Sequence, residues 1–196
     1  MRPRIRLSLV IACLILAGCV RLSVAQESRQ KADTPKLTLG DSDGSPGGSI
    51  VVPIYFSPSE SVEVGELKAM VTFVSKNMKY SSIKKGLAAE SGNVDLKAEL
   101  KEGKNDKGLE TSTLTITAVI PSPKPGQKGI PPGLIGYLTL KVNETAGPAN
   151  ITMRTTGQAM ELGTKKALPK LDTIDAQVDI LANGSEPLVS CFFFSH

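Results

Sequence analysis

The chain has 196 residues, with three cysteines, no tryptophan and one histidine, and its 23 basic and 19 acidic residues give a formal net charge of +4. A nucleophile triad needs a general base, which is usually histidine, and the one histidine is His196 at the last printed position. The composition therefore argues against Ser/His/Asp and Cys/His catalysis.

The first 25 residues predict an export signal. Three arginines within the first six residues form a positive n-region, and residues 7–16 form an apolar stretch. About ten residues are too few to cross a bilayer as a helix, so the stretch is typical of a signal peptide rather than of a membrane anchor. We therefore expect export from a bacterial cell, with membrane contact only through an N-terminal lipid.

Two cleavage sites remain open. Leu16–Cys19 resembles a bacterial lipobox, which would leave Cys19 as a lipidated N-terminus in the cell envelope. Ser23–Ala25 fits the small-x-small rule of ordinary signal peptidase, which would release an extracellular protein. Cleavage after Ala25 would leave 19 basic and 19 acidic residues, so the positive charge belongs to the signal and gives no support to a nucleic-acid partner.

The rest of the chain divides into a flexible polar tether at 26–35, a β-sandwich at 36–182 and a tail at 183–196. Within the sandwich, polar and apolar residues alternate, most clearly where Val94, Leu96, Ala98 and Leu100 are separated by charged residues. Successive side chains of a strand point to opposite faces, so this period predicts half-buried strands and an all-β fold. Nine strands are predicted, in chain order, at Lys36–Leu39, Ser49–Phe56, Leu67–Phe73, Met78–Ile83, Val94–Leu100, Thr113–Ile120, Leu134–Val142, Ala149–Arg154 and Asp175–Leu181.

The segments between the strands are rich in turn residues. Gly40–Gly48 predicts a turn region, and Glu102–Gly108 predicts a hairpin loop. Pro121–Pro132 contains five prolines, which predicts a stiff surface connection. A further loop is expected around Gly163–Lys170. Pro53 lies inside a predicted strand, which indicates an edge strand or a bulge.

Several stretches share their pattern with one family of secreted binding domains. Pro46–Phe56 joins a glycine turn to a strand of the V-x-V-P-V type. Gly65–Phe73, followed by Asn77–Tyr80, matches the third strand and the short strand after it. Gly133–Val142 follows the pattern G-x-(L/I/F)-(A/G)-x-(L/I)-x-(F/L)-x-V, and Ala146–Ile151 matches the turn after that strand. On these stretches the chain resembles a cohesin domain.

The resemblance covers residues 36–181 and implies a nine-stranded jelly-roll β-sandwich without catalytic activity. It also implies a dockerin-type protein partner, often carried by a polysaccharide-degrading enzyme. The family's partner-contacting polar residues on the third strand fall near Glu66 and Lys68. If the third, fifth and sixth strands share a sheet, as in cohesins, their outward residues form a flat mixed face that suits protein docking. The predicted binding face comprises Glu66, Lys68, Met70, Thr72, Asp95, Lys97, Glu99, Thr113, Thr115 and Thr117.

Other readings remain open beside docking. The same pattern of residues would fit an ordinary solvated sheet face. Direct binding of a polysaccharide and a structural role as an envelope lipoprotein are the alternative functions. Sugar-binding sandwiches usually stack rings on an aromatic strip, whereas Tyr55, Tyr80 and Tyr137 fall on different predicted strands and fit core packing or single surface contacts better. The carboxylates alternate outward or lie in loops, so we do not expect an enzyme. We also expect no cofactor, and we expect the protein to be a monomer.

Metal, disulfide and tail features give few further constraints. Asp41 and Asp43 have a spacing superficially similar to a calcium loop but lack the third ligand and the distal Glu, so an Asx turn and no metal are expected. Only Cys191 lies beyond the export segment, so the sandwich is expected to hold by packing without an internal disulfide. The apolar tail Cys191–Phe194 could pack on the sandwich, be removed, or act as a sorting tag, and these alternatives stay open.

Overall fold

The structure, a computed structural model, describes residues 34–182, 184 and 185. The predicted export signal, the predicted lipidation site Cys19 and the tail segment Cys191–Phe194 lie outside the described residues. In the part of the chain that is described, no helix is both long and apolar enough to span a bilayer.

Eleven strands and one short helix make up the described chain, so the all-β prediction is confirmed. Nine of the strands correspond to the predicted ones, and two three-residue strands, β2 and β10, were not predicted. The elements are β1 (Lys36–Leu39), β2 (Ser42–Gly44), β3 (Ser49–Ser57), β4 (Val64–Val74), β5 (Met78–Lys85), α1 (Leu87–Ser91), β6 (Asp95–Lys104), β7 (Glu110–Val119), β8 (Gly133–Val142), β9 (Ala149–Glu161), β10 (Asp172–Ile174) and β11 (Ala176–Ile180).

The strands form two sheets. One has five strands in the order β10-β1-β3-β8-β5, and the other has six in the order β2-β11-β9-β4-β7-β6. The pairings are antiparallel except for β1 with β10 and β2 with β11, which are parallel. The predicted third, fifth and sixth strands are β4, β6 and β7, and they do lie in one sheet.

The core lies between the sheets and follows from the two-residue period. On β3 the inward residues Ile50, Val52, Ile54 and Phe56 are all at most 1 % exposed. Each such side chain contributes about 1.5–3 kcal/mol when it leaves water. No cysteine lies in the described part of the chain, so this packing holds the two sheets together there without a disulfide.

Pro53 lies beside a bulge but not in an edge strand. Its strand, β3, has β1 on one side and β8 on the other, so the edge alternative is wrong. The pairing with β8 shifts register between Ile54 and Tyr55, one residue beyond the proline, and the bulge alternative is therefore confirmed. A proline has no N–H for the ladder. Its carbonyl oxygen accepts from the N–H of Gly40 at 2.9 Å, just past the end of β1, so the missing donor faces the side where the ladder with β1 has ended.

The outer half of β6 departs from the predicted alternation. Leu100 is 41 % exposed, although Leu114, its register partner on β7, is fully buried. The prediction that Leu100 belongs to the core is wrong, because its side chain contacts solvent although it lies on the inward side of the strand. Beyond Leu100, an open recess of about 440 Å³ lies between the end of β6 and Lys79 on β5.

The connection between β7 and β8 is anchored in the core rather than lying wholly on the surface. Ile130 is 1 % exposed, and its N–H donates to the carbonyl oxygen of Val64 at 2.7 Å. The predicted surface connection at Pro121–Pro132 is therefore correct for its exposed first half and wrong for Ile130.

Candidate docking face

The ten predicted face residues lie on the outer side of the six-stranded sheet. Their strands are direct neighbours in the order β4-β7-β6. Lys68 on β4 lies opposite Thr117 on β7, which in turn lies opposite Lys97 on β6. Met70, Thr115 and Glu99 form the next row in the same way. We call the outer surface of β9, β4, β7 and β6 the four-strand face.

The centre of the four-strand face carries one exposed apolar side chain among threonines. Met70 is 50 % exposed and has Thr115 on one side and Thr156 of β9 on the other. In the next row the hydroxyls of Thr72 and Thr113 lie 3.1 Å apart in a hydrogen bond. A flexible thioether among short hydroxyl side chains can adapt its shape to a partner surface.

One end of the face is acidic. Glu66 on β4 and Asp95 on β6 both pair with Val119 of the strand between them. Asp95 accepts a hydrogen bond from the ammonium group of Lys85 on β5, at 3.1 Å, which joins the edge strands of the two sheets. The side chains of this ion pair are 40 % and 49 % exposed, so solvent screens it and it adds little stability, but it offsets part of the charge of Asp95.

Strand β9 extends the face on the other side of β4, which the sequence analysis missed. Arg154 lies opposite Thr72, and Gln158 lies opposite Lys68. The predicted strand ended at Arg154, whereas β9 continues to Glu161. Gly157 interrupts the alternation of polar and apolar residues along this strand. It allows β9 and β4 to pack closely, because a Cβ on Gly157 would lie only 3.0 Å from the carbonyl oxygen of Lys68.

An aspartate of the predicted turn region makes a contact that the local pattern does not indicate. The carboxylate of Asp41 accepts a hydrogen bond from the backbone N–H of Gln177 at 2.7 Å, far along the chain. The contact holds the start of β2 against β11. Among the described residues, no group of three or more His, Cys, Asp or Glu side chains is placed to hold a metal ion.

The three tyrosines lie away from the four-strand face. Tyr55, Tyr80 and Tyr137 are on β3, β5 and β8, which all belong to the five-stranded sheet. All three are partly buried, and Tyr80 packs against the core. None of them supplies an aromatic ring to the face that carries the ten predicted residues.

No protein-family model matches the chain, and no curated protein sequence matches it either. Solved structures do match. The third cohesin of ScaC from Acetivibrio cellulolyticus, in complex with the ScaB dockerin, is 17 % identical, with a TM-score of 0.55 over 76 % of this chain and 100 % of that one.

Two further structures agree with this match. The OlpA cohesin of Clostridium thermocellum, in a type I cohesin–dockerin complex, is 13 % identical, with a TM-score of 0.54 over 76 % of this chain and 99 % of that one. The seventh ScaB type I cohesin of Pseudobacteroides cellulosolvens is 18 % identical, with a TM-score of 0.53 over 79 % of this chain and 96 % of that one. The chain therefore has the fold of the cohesin domains.

Proposed function

We propose that this protein is a non-catalytic module that docks a dockerin-like protein on its four-strand face, in an exported system linked to polysaccharide degradation. The observation that carries the proposal is the open, continuous face with Met70 exposed at its centre. The fold supports the same function, because two of the similar solved cohesins are in complexes with dockerins.

The dimensions of the face favour a contact of modest size. Strands about 4.8 Å apart and outward residues about 6.8 Å apart give the four strands and four rows a span of roughly 15 by 20 Å between outermost Cα atoms. With its side chains this is smaller than the roughly 800 Å² that each partner buries in a standard interface. Affinity would then depend on a few central residues, of which Met70 is the most exposed apolar one.

The first test replaces the central side chain with a charge. We expect Met70→Glu to weaken partner binding by roughly 30-fold or more, because an exposed apolar contact is lost and a carboxylate is buried in its place. Val51→Glu is the matched control, because Val51 is 48 % exposed on a strand of the opposite sheet. The partner is captured from the secreted proteins of the source organism with the full chain, is identified by mass spectrometry, and is then titrated against both variants by calorimetry.

The outcomes separate the alternatives. A captured protein with a dockerin-type repeat that binds Val51→Glu like the wild type and Met70→Glu weakly would support docking on the face. Equal affinities for the two variants would contradict it. Retention of the chain on insoluble polysaccharide without any such protein would favour direct sugar binding instead.

Export is a separate part of the proposal, supported by the arginines and the apolar stretch at 7–16. We expect the mature protein to begin at a lipidated Cys19, which intact-mass spectrometry of the protein from its native cells would measure. An N-terminus at Gln26 would make the protein fully secreted and would contradict the lipid anchor. An intact Met1 would contradict export altogether.

A further inference from the structure

An open recess of about 650 Å³ borders the four-strand face at the end opposite Glu66 and Asp95. Three segments form its walls: the end of β4 with the turn that follows, the loop between β6 and β7, and the first half of β9. We call this space the basic recess, because its lining includes Lys76, Lys107 and Arg154 but only one carboxylate, that of Asp106.

Two walls of the basic recess are held by hydrogen bonds within the protein. The side-chain oxygen of Asn105 accepts from the backbone N–H groups of Lys107 and Leu109, both at 3.0 Å, which fixes the hairpin loop. On the other side, the amide of Asn143 donates to the carbonyl oxygen of Lys76 at 2.7 Å. The backbone that carries the lysines is therefore ordered before a ligand arrives, and pre-ordering lowers the entropic cost of binding.

The cations of the basic recess are available to a ligand. Lys76, Lys107 and Arg154 are exposed, and none of them forms an ion pair with another described residue. Lys101 lies in the same row as Arg154 and adds a fourth cation on the adjoining face. Four cations therefore cluster at the recess, whereas charges of both signs alternate along the rest of the face as far as Glu66 and Asp95.

The charge pattern separates the possible ligands. A polyanion of uniform charge that left the recess along the face would meet Glu99 in the next row and, beyond Lys68 and Lys97, the carboxylates of Glu66 and Asp95, so only part of its length would be attracted. A polypeptide can place carboxylates at one end and other side chains along the rest. Leu109, 44 % exposed at the wall of the recess, also gives a peptide an apolar contact.

We propose that the basic recess receives an acidic segment of the docked partner, whose carboxylates face Lys76, Lys107 and Arg154. The inference rests on the proposed function, because a partner on the four-strand face extends naturally into the recess. The inference adds the chemistry of the contact to the proposed function. It also adds the orientation of the partner along the four-strand face, because an acidic segment is attracted at the Arg154 end and repelled at the Glu66 end.

The test uses a defined probe. The ¹⁵N-labelled full chain is titrated with a deca-glutamate peptide at an ionic strength of about 50 mM, and amide shifts are followed by NMR. We expect shifts at residues 76–77, 105–109 and 150–154 and none at Glu66 or Asp95. The double variant Lys107→Glu with Arg154→Glu is expected to weaken binding by about tenfold or more, and salt at about 200 mM should weaken it as well.

The matched control carries the same charge change elsewhere. Lys84→Glu with Lys124→Glu alters exposed lysines on β5 and in the β7–β8 connection, and it should bind the peptide like the wild type. Equal weakening by both double variants, or shifts spread over lysines throughout the protein, would overturn the proposal. Tighter binding of a ten-nucleotide oligothymidylate at the same amides would overturn it too, in favour of a nucleic-acid ligand.

The captured partner distinguishes this inference from the function on which it rests. If Met70→Glu lowers the affinity for the partner and the double variant Lys107→Glu with Arg154→Glu does not, docking on the face is supported. The proposal of an acidic segment in the basic recess is then wrong. If both lower the affinity and only the recess variant reduces the dependence of affinity on salt, both proposals are supported.

Discussion

Leu114→Ala is expected to lower the free energy of unfolding by about 2–5 kcal/mol, whereas Leu100→Ala should cost less than about 1 kcal/mol. The two leucines are register partners on β7 and β6, but Leu114 is fully buried and Leu100 is 41 % exposed. Truncation at Leu114 leaves a cavity that the packed core fills only in part, while truncation at Leu100 removes a side chain that already contacts water.

Urea denaturation of the full-length variants, followed by far-UV circular dichroism, measures both costs. The comparison is well matched because the two substitutions remove the same atoms from the same side of neighbouring strands. Equal costs would mean that Leu100 is covered in solution as fully as Leu114, which would contradict its exposure in the structure.

Leu100 also illustrates what the local pattern can and cannot predict. Alternation is a property of the strand itself, and it holds along β7, where Leu114, Ile116 and Ala118 are buried and the threonines between them lie on the outside, as predicted for the face. The same alternation continues through Leu100. Burial there depends on whether the opposite sheet reaches that far, and this is set by packing between distant parts of the chain.

The same distinction between local pattern and long-range packing applies to the candidate site. The ten predicted residues lie on the outer side of one sheet because each follows from strand period, together with the resemblance that placed three strands side by side. The position of β9 beside β4 depends on pairing across more than 80 residues, so Arg154 and Gln158 were missed. The basic recess needs three separate segments to meet, and nothing in the local pattern indicates that they do.

The short strands were missed for a related reason. Strands β2 and β10 have three residues each, too few to show a period, and each pairs in parallel with a strand from the opposite end of the chain. Glycine and aspartate in β2 indicated a turn by composition. The hydrogen bond from Gln177 to Asp41 then stabilises a pairing that local propensity does not favour.

Gly129→Ala is expected to lower the free energy of unfolding by about 3 kcal/mol or more, compared with about 1 kcal/mol for Gly126→Ala in the same connection. Both glycines have a positive φ, of 80° and 79°, so both substitutions carry the same left-handed strain. Their surroundings differ, because a Cβ on Gly129 would lie 2.7 Å from the carbonyl oxygen of Val64 and 2.9 Å from its nitrogen, and a Cβ on Gly126 would have nothing within 4 Å.

Relief of that clash requires the backbone of the connection to move away from β4. The hydrogen bond from Ile130 to Val64 would then lengthen, and the buried Ile130 would leave the core. The difference between the two variants in urea denaturation therefore isolates the contact with Val64 from the strain that they share. Equal losses of stability would contradict the close packing of the connection on β4. They would also contradict the anchoring role of Ile130.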